Sequence, residues 1–373
     1  MRIIKTKQKE KYYDGSDIAK TGATYRLVVG MRSNGKTYYT ISRAIIKFFK
    51  EGKPSAYLRR YAEDIKAANV ANLIEPHIDL IKRLSKNKYN GYEYRNNTFK
   101  FTYTDSKGSI KARSEDFLYS VSLATWEHQK GSDKAPEGLA LLIFDEFLTR
   151  GKYLTNEFPT FTNVISSFIR NRPGTEIWML ANTVSRYGNP YFLEMGLNDT
   201  DSMKQGEIRL YTYNNELLTV ALEYCAESTA IKNVEHYYAF DNPQLSILTT
   251  GNWEEESYRH WTPDLFKMND ETFRYKVLLQ FQGHEAIGEV HKTDTDLIVF
   301  WHPKGSSNYK FTDKDTVYTD EPTPNRRWSN YLNSTATKKL ARITYLMANN
   351  KDFYSDNTIG ELIRSFRLWN GGK

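Results

Sequence analysis

The stretch "VVGMRSNGKTYYT", Val28 to Thr40, constrains this chain more than any other. Gly30, Gly35, Lys36 and Thr37 stand in the spacing G-x-x-x-x-G-K-[ST], in which glycines let main-chain N–H groups close around phosphate oxygens at the start of a helix. The flanks agree. "YRLVV" before the loop is a short apolar, β-branched run. "KTYYTISRAIIKFFKEGKP" after it sets Ile41, Ala44, Ile45 and Phe48 on one helical face before Gly52 and Pro54 stop it. Strand, glycine loop and helix in that order predict an ATP site. Gly30, Ser33, Asn34 and Gly35 line the phosphates, Arg32 touches phosphate or simply solvent, Lys36 reaches the β and γ phosphates, and Thr37 binds Mg2+.

A second apolar strand carries the matching acids. "GLALLIFDEF", Gly138 to Phe147, is the continuous run of a strand buried on both faces of a parallel sheet, and it ends in Asp145 and Glu146. Asp145 is expected to hold Mg2+ through water, and Glu146 to orient or deprotonate the attacking water. Such a pair marks NTPases that hydrolyse with a built-in base. "EIWMLAN" repeats the strand pattern after the helix-like "EFPTFTNVISSFIRNR", and Asn182 at its end either senses the γ phosphate or makes an ordinary turn. Arg170, with Arg172 second, offers positive charge for the breaking bond, and an arginine supplied by a neighbour is worth roughly 10³ to 10⁵ in rate. Arginines at a helix end also cap carbonyls.

Strands alternating with helices predict a doubly wound α/β P-loop NTPase domain over 1-205. "SAYLRR" reads as its second strand, and "GYEYRNNTFKFTYT" as an inserted hairpin turning at Asn96 and Asn97. The pattern is irregular from Glu207, so 206-262 is expected to be a linker or lid. "FRYKVLLQFQGHEAIGEVHKTDTDLIVFW" then looks like consecutive hairpin strands with helix-like sequence after Arg326, a smaller α+β domain over 263-373.

Composition narrows the function classes. Cys225 is the only cysteine, so the chain can form no internal disulfide and no Cys-based zinc site. No run of about 18 apolar residues appears, which argues against a membrane span and for a soluble cytoplasmic protein. The formal charge is +7, with 52 Lys and Arg against 45 acids, which suits a polyanion partner. Candidate contacts are Lys5, Lys7, Lys9 and Lys11, the segment "IKRLSKNK", and Lys107 with Lys111. Contact of this kind is phosphate-directed and strongly salt-dependent.

Taken in order, "VVGMRSNGKTYYT", "AYLRRY", "TWEHQK", "LIFDEF", "FIRNR" and "NPYFLEMGL" make the chain resemble the DNA packaging ATPases of small phi-29-like tailed phages, relatives of the large terminase motors. The resemblance is strong over the first 200 residues or so and weak beyond. It implies an ASCE-type motor in a homopentameric ring, docked at the portal of a procapsid in the host cytoplasm and moving double-stranded DNA, in some members with a structural packaging RNA. Arg170 would act in trans as the arginine finger, and Lys130 matches a second trans-acting position. The position after "RRY", a pore lysine in the family's type member, is Ala62 here, so Lys66 or another loop would grip DNA. The smaller domain would be RNase H-like without its metal cluster, with Gln280 and Gln282 where a metal carboxylate is wanted; Asp294 and Asp296 are the acids nearby. The alternative is another helicase or nucleic-acid remodelling ATPase of the same class.

Overall fold

The computed structural model describes residues 2–6, 12–126, 138–169, 174–184, 187–215, 217–226, 258–294, 296–305, 317–320 and 338–369. The chain forms two units. The first holds Met1–Thr149, Asn156–Val184 and Glu194–Trp253, and the second holds Arg150–Thr155, Ser185–Leu193 and Glu254–Lys373.

In chain order the first unit contains β1 (Arg2–Lys5), α1 (Ser16–Lys20), β2 (Tyr25–Gly30), α2 (Lys36–Glu51), β3 (Ser55–Arg59), β4 (Gly91–Arg95), β5 (Thr98–Thr104), β6 (Ile110–Ser122), β7 (Leu141–Asp145), β8 (Glu176–Asn182), β9 (Glu207–Tyr213) and β10 (Leu218–Tyr224). A helix over Glu157–Ile169 joins β7 to β8. All of these strands belong to one sheet, ordered β1-β9-β10-β2-β8-β7-β3-β6-β5-β4. The run from β10 to β6 is parallel throughout, and antiparallel strands flank it on both sides. Leu27 to Val29, Leu141 to Phe144 and Ile177 to Ala181 are buried along their whole length, as strands covered on both faces require.

Local chemistry explains the element ends. α2 stops at Gly52, whose φ of +69° is the left-handed cap that suits glycine, and its N–H donates to Phe48 O. The β4–β5 hairpin turns at Asn96 and Asn97, both left-handed at φ +52° and +59°, the pair of signs a two-residue hairpin turn demands. That hairpin is more than an appendage: Phe101 on β5 and Phe117 on β6 each meet Phe48 of α2 edge-on, at 5.5 Å between ring centroids.

One sequence-based boundary is corrected. Residues 207–224, expected to lie in a linker over 206-262, are β9 and β10, and β10 lies parallel beside β2 with Val220 to Tyr224 in register with Tyr25 to Val29. The reason is chemical. Glu223 interrupts the apolar pattern of β10, yet it is 1% exposed, because a hydrogen bond from a distant tyrosine satisfies it.

The second unit has its own sheet of β11 (Phe273–Phe281), β12 (His284–Lys292), β13 (Leu297–Pro303), β14 (Val317–Thr319) and β15 (Asp352–Tyr354), ordered β14-β11-β12-β13-β15. β11 to β13 are antiparallel, as the sequence suggested, and β14 runs parallel to β11. Val277, Leu279, Val290 and Trp301 on one face pack with Ile343, Leu346, Ile363 and Phe366 from the helices Lys338–Ala348 and Asn357–Leu368. Gly288 admits the Trp301 ring, since a Cβ there would lie 2.8 Å from it. Gln280 Nε2 donates to Glu285 Oε1 at 2.7 Å, and the Gln282 N–H donates to Asp320 Oδ2 at 3.0 Å. Asp296 accepts from the Leu297 N–H and pairs with Lys351. The second unit thus starts at Glu254, ahead of the expected 263-373 boundary, and takes in Arg150–Thr155 and Ser185–Leu193.

Candidate nucleotide-binding site

The carboxyl ends of parallel strands are where open α/β sheets bind ligands. Here β2, β3, β7, β8 and β10 end together, with β8 between the loop-bearing β2 and the acid-bearing β7. The loop after β2 bends through Ser33 at φ +60° and Gly35 at φ +98°, and Gly35 is the left-handed residue that starts α2. A side chain at Gly35 would be strained. Gly30 is needed for a different reason: a Cβ there would lie 2.6 Å from Cys225 Cβ and 2.8 Å from Sγ. Cys225, just past β10, is fixed by its own N–H donating to Val29 O at 2.8 Å.

Lys36 is 6% exposed. Its Nζ donates to Met31 O at 2.7 Å, Gly30 O at 3.1 Å and Asn34 Oδ1 at 3.2 Å. Burial lowers its pKa, and the negative charge of Asp145 opposes that shift. The ammonium is thus enclosed by neutral dipoles at the mouth of the loop. Arg32 and Ser33 are exposed beside it.

Across from the loop, Thr37 Oγ1 donates to Asp145 Oδ2 at 3.0 Å, and the Tyr57 hydroxyl donates to the same oxygen at 3.0 Å. Burial first, then the charge of Asp145, pushes the Tyr57 phenol well above its usual range, so it stays a donor. A hydroxyl and a carboxylate in contact are the oxygen donors Mg2+ takes while keeping water and phosphate as its other ligands. The residues present fit that ion.

Glu146 follows with φ +62°. A non-glycine residue in that region costs on the order of 1 kcal/mol or more and persists only where the surroundings enforce it. Arg60 enforces it. Its guanidinium is 5% exposed, forks onto Glu157 at 2.9 and 2.8 Å, and also donates to Glu146 O at 3.0 Å and Phe147 O at 2.8 Å. The Glu146 carboxylate faces outward, its side chain 52% exposed, and accepts from Arg59 Nη2 at 2.7 Å. Arg59 keeps its proton firmly: burial acts against its charge, but Tyr57, Glu146 and Asp145 outweigh it.

A family model for the podovirus DNA encapsidation protein (Gp16) matches residues 7–221. The chain belongs to this family. A DNA packaging protein of Bacillus phage B103 is 27% identical over 173 residues, 46% of this chain and 47% of that relative, so the match spans about half of the relative's length. Among solved structures, the bacteriophage Phi-29 viral genome packaging motor assembly has a chain similar in fold at TM-score 0.52 and 19% identity, covering 98% of this chain and 100% of that one. The Phi-28 gp11 DNA packaging motor is similar at TM-score 0.50 and 19% identity, covering 96% and 98%. The family match takes in the loop, both acids and most of β10.

The structure places Thr37 against Asp145, with Lys36 and Glu146 next to them in sequence, and sets Asn182 in register with Gly30. Arg170, Arg172, Lys130, Lys7, Lys9 and Lys11 lie outside the described residues. Lys5 is exposed on β1, Lys111 pairs with Asp105 at 3.2 Å in the turn holding Lys107, Lys82 of "IKRLSKNK" lies 3.6 Å from Asp79, and Lys66 lies 3.9 Å from Glu63. Arg59, Arg60 and Tyr57 were missed as site residues. Their only sequence signal is the polar "RR" closing the apolar run of β3. Glu223 and Tyr13, hydrogen-bonded to each other beneath the loop, were missed as well.

Proposed function

We propose that the chain is an ATP-driven motor that translocates double-stranded viral DNA into a procapsid. The contact of Thr37 with Asp145, made beside the buried ammonium of Lys36, carries the reading. It joins the two halves of a metal-triphosphate site from positions 108 residues apart. Main-chain N–H groups from Gly30 to Gly35 would hold the phosphates, and Lys36 would swing from loop carbonyls to phosphate oxygens. Mg2+ held by Thr37 and Asp145 supplies charge neutralisation on the β and γ phosphates. Glu146 takes a proton from the attacking water, aimed by its ion pair with Arg59 and by the turn Arg60 clamps. The β10-β2-β8-β7-β3 order supports the ASCE reading, in which Asn182 senses the γ phosphate.

The remaining parts rest on the family. Arg170, with Arg172 as the second choice, completes a neighbour's site, and Lys130 assists it in trans. The assembly is a homopentameric ring at the portal vertex in the host cytoplasm, with a packaging RNA as a further partner. The smaller unit is RNase H-like, which the antiparallel β11–β13 with a parallel β14 beside β11 supports.

The test is ATP turnover by the purified chain, with and without procapsids and double-stranded DNA. Procapsids and DNA together are expected to stimulate it most. Glu146→Gln should still bind ATP yet lose roughly 10² to 10⁴ in turnover, the usual weight of a general base. Turnover in no combination, or stimulation by single strands alone, overturns the proposal.

A further inference from the structure

Beneath the phosphate loop lies a hydrogen-bonded chain that begins on β10 and ends on the lysine. Glu223 Oε2 accepts from the Tyr13 hydroxyl at 2.7 Å. The same tyrosine's main-chain N–H donates to Asn34 O at 2.8 Å. Asn34 Oδ1 in turn accepts from the Lys36 N–H at 3.3 Å and from Lys36 Nζ at 3.2 Å. Every member is buried: Glu223 is 1% exposed, Tyr13 7%, Asn34 2% and Lys36 6%.

The surroundings leave this chain little slack. Tyr13 meets Tyr39 of α2 edge to face at 5.6 Å, and a Cβ at Gly15 would lie 2.5 Å from the Tyr39 ring and 3.0 Å from the Tyr13 hydroxyl. Tyr12, the residue before, packs against Gly35; its Cβ lies 3.6 Å from where a Gly35 Cβ would stand. Residues 12–14 therefore cross the loop as a strap, fastened at one end to a carboxyl group more than two hundred positions along the chain. A carboxyl buried in such a place persists because the Tyr13 hydroxyl satisfies it, which ties the strap to β10.

We infer that Glu223 and Tyr13 are positioning residues for nucleotide binding, setting Asn34 and through it the ammonium of Lys36. The inference rests on the ATP reading above. It concerns which residues hold the loop in its binding geometry, and neither Glu223 nor Tyr13 touches the nucleotide.

The carboxyl's protonation offers a separate handle. Burial raises the Glu223 pKa to about 8; the charges of Asp17 and Asp14 add to the rise and the Tyr13 hydrogen bond opposes it. The other group facing it, the Cys225 thiol, is itself pushed up by burial and by Glu223. Near pH 7 the carboxyl is neutral, and above pH 8 a buried negative charge would draw the strap toward water. Glutamine imitates the neutral form and cannot ionise.

The experiment is titration of the full chain with a fluorescent ATP analogue, well below the melting temperature, at pH 7 and pH 9. Tyr13→Phe is expected to weaken binding about three- to tenfold, the range of one lost hydrogen bond, with turnover at saturating ATP little changed. Glu223→Gln should bind like wild type at pH 7 and should lack the weakening that wild type shows at pH 9. Tyr13→Phe binding as tightly as wild type, whatever its melting temperature, overturns the inference. So does a Glu223→Gln variant that keeps the alkaline weakening. If wild type binds no ATP analogue, it is the ATP reading that fails.

Discussion

Gly30→Ala offers a sharp test of why the loop begins with glycine. The new Cβ would stand 2.6 Å from Cys225 Cβ and 2.8 Å from Sγ, whereas carbon atoms pack at about 3.5 Å or more. Nearly 1 Å of movement is required, and the sheet resists it. β2 is held on one side by the Cys225 N–H on Val29 O and on the other by its ladder with β8, where Gly30 opposes Asn182. Overpacking of this kind costs about 1–3 kcal/mol. If the loop absorbs the shift, ATP affinity falls roughly 5- to 150-fold by the same arithmetic. The partner residue separates this from a general glycine effect. Cys225→Ala keeps the Cβ and so keeps the 2.6 Å clash. Cys225→Gly removes both offending atoms, at about 0.5–1 kcal/mol for the added backbone freedom. Nucleotide titration and urea unfolding of the two single cysteine variants, Gly30→Ala and the two doubles complete the cycle. Affinity should return in Gly30→Ala with Cys225→Gly and stay low with Cys225→Ala. Equal rescue by both, or normal binding by Gly30→Ala alone, would refute the steric account.

Two further outcomes follow from buried ion pairs. Burial raises the Glu176 carboxyl, but the Arg43 fork at 2.8 Å, the Trp178 indole N–H and the Arg26 charge overcome it and bring the pKa to about 2 from 4.5. A carboxyl lowered on folding stabilises above its unfolded value and loses that contribution as pH falls from 4.5 toward 2. At about 1.4 kcal/mol per unit it is worth about 3 kcal/mol near neutrality. Denaturant midpoints should show Glu176→Gln less stable than wild type at pH 7 and the gap closing by pH 2; a constant gap contradicts the linkage. Arg60→Lys retains the charge but not the fork onto Glu157 or the bonds to two carbonyls. It should destabilise by about 2–3 kcal/mol and lower turnover more than ATP affinity, since the strained Glu146 turn loosens. Unchanged turnover would show that the turn holds itself.

Where the fold was legible, the information was local. β2, the loop and α2 could be read because the apolar periods and the phosphate-loop spacing lie within 27 consecutive residues of one another, and β7 and β8 are uninterrupted apolar runs. β10 was illegible because Glu223 contradicts the pattern unless Tyr13, 210 positions away, is known to meet it. Arg60 is held buried at the Glu146 turn by Glu157, 97 positions on. Glu223 and Arg60 are polar groups whose partners come from distant parts of the chain, and single-sequence periodicity carries no record of such partners.

The division of the chain has a mechanical consequence. Four positions beyond Glu146 the polypeptide enters the second unit at Arg150, and three beyond Asn182 it does so again at Ser185. The strand ends that would report ATP are thus covalent tethers of the other half. Only four and three peptide bonds separate those strand ends from the second unit. For the same reason no single cut frees either half: a fragment ending near residue 205 keeps two pieces of a body it no longer contains.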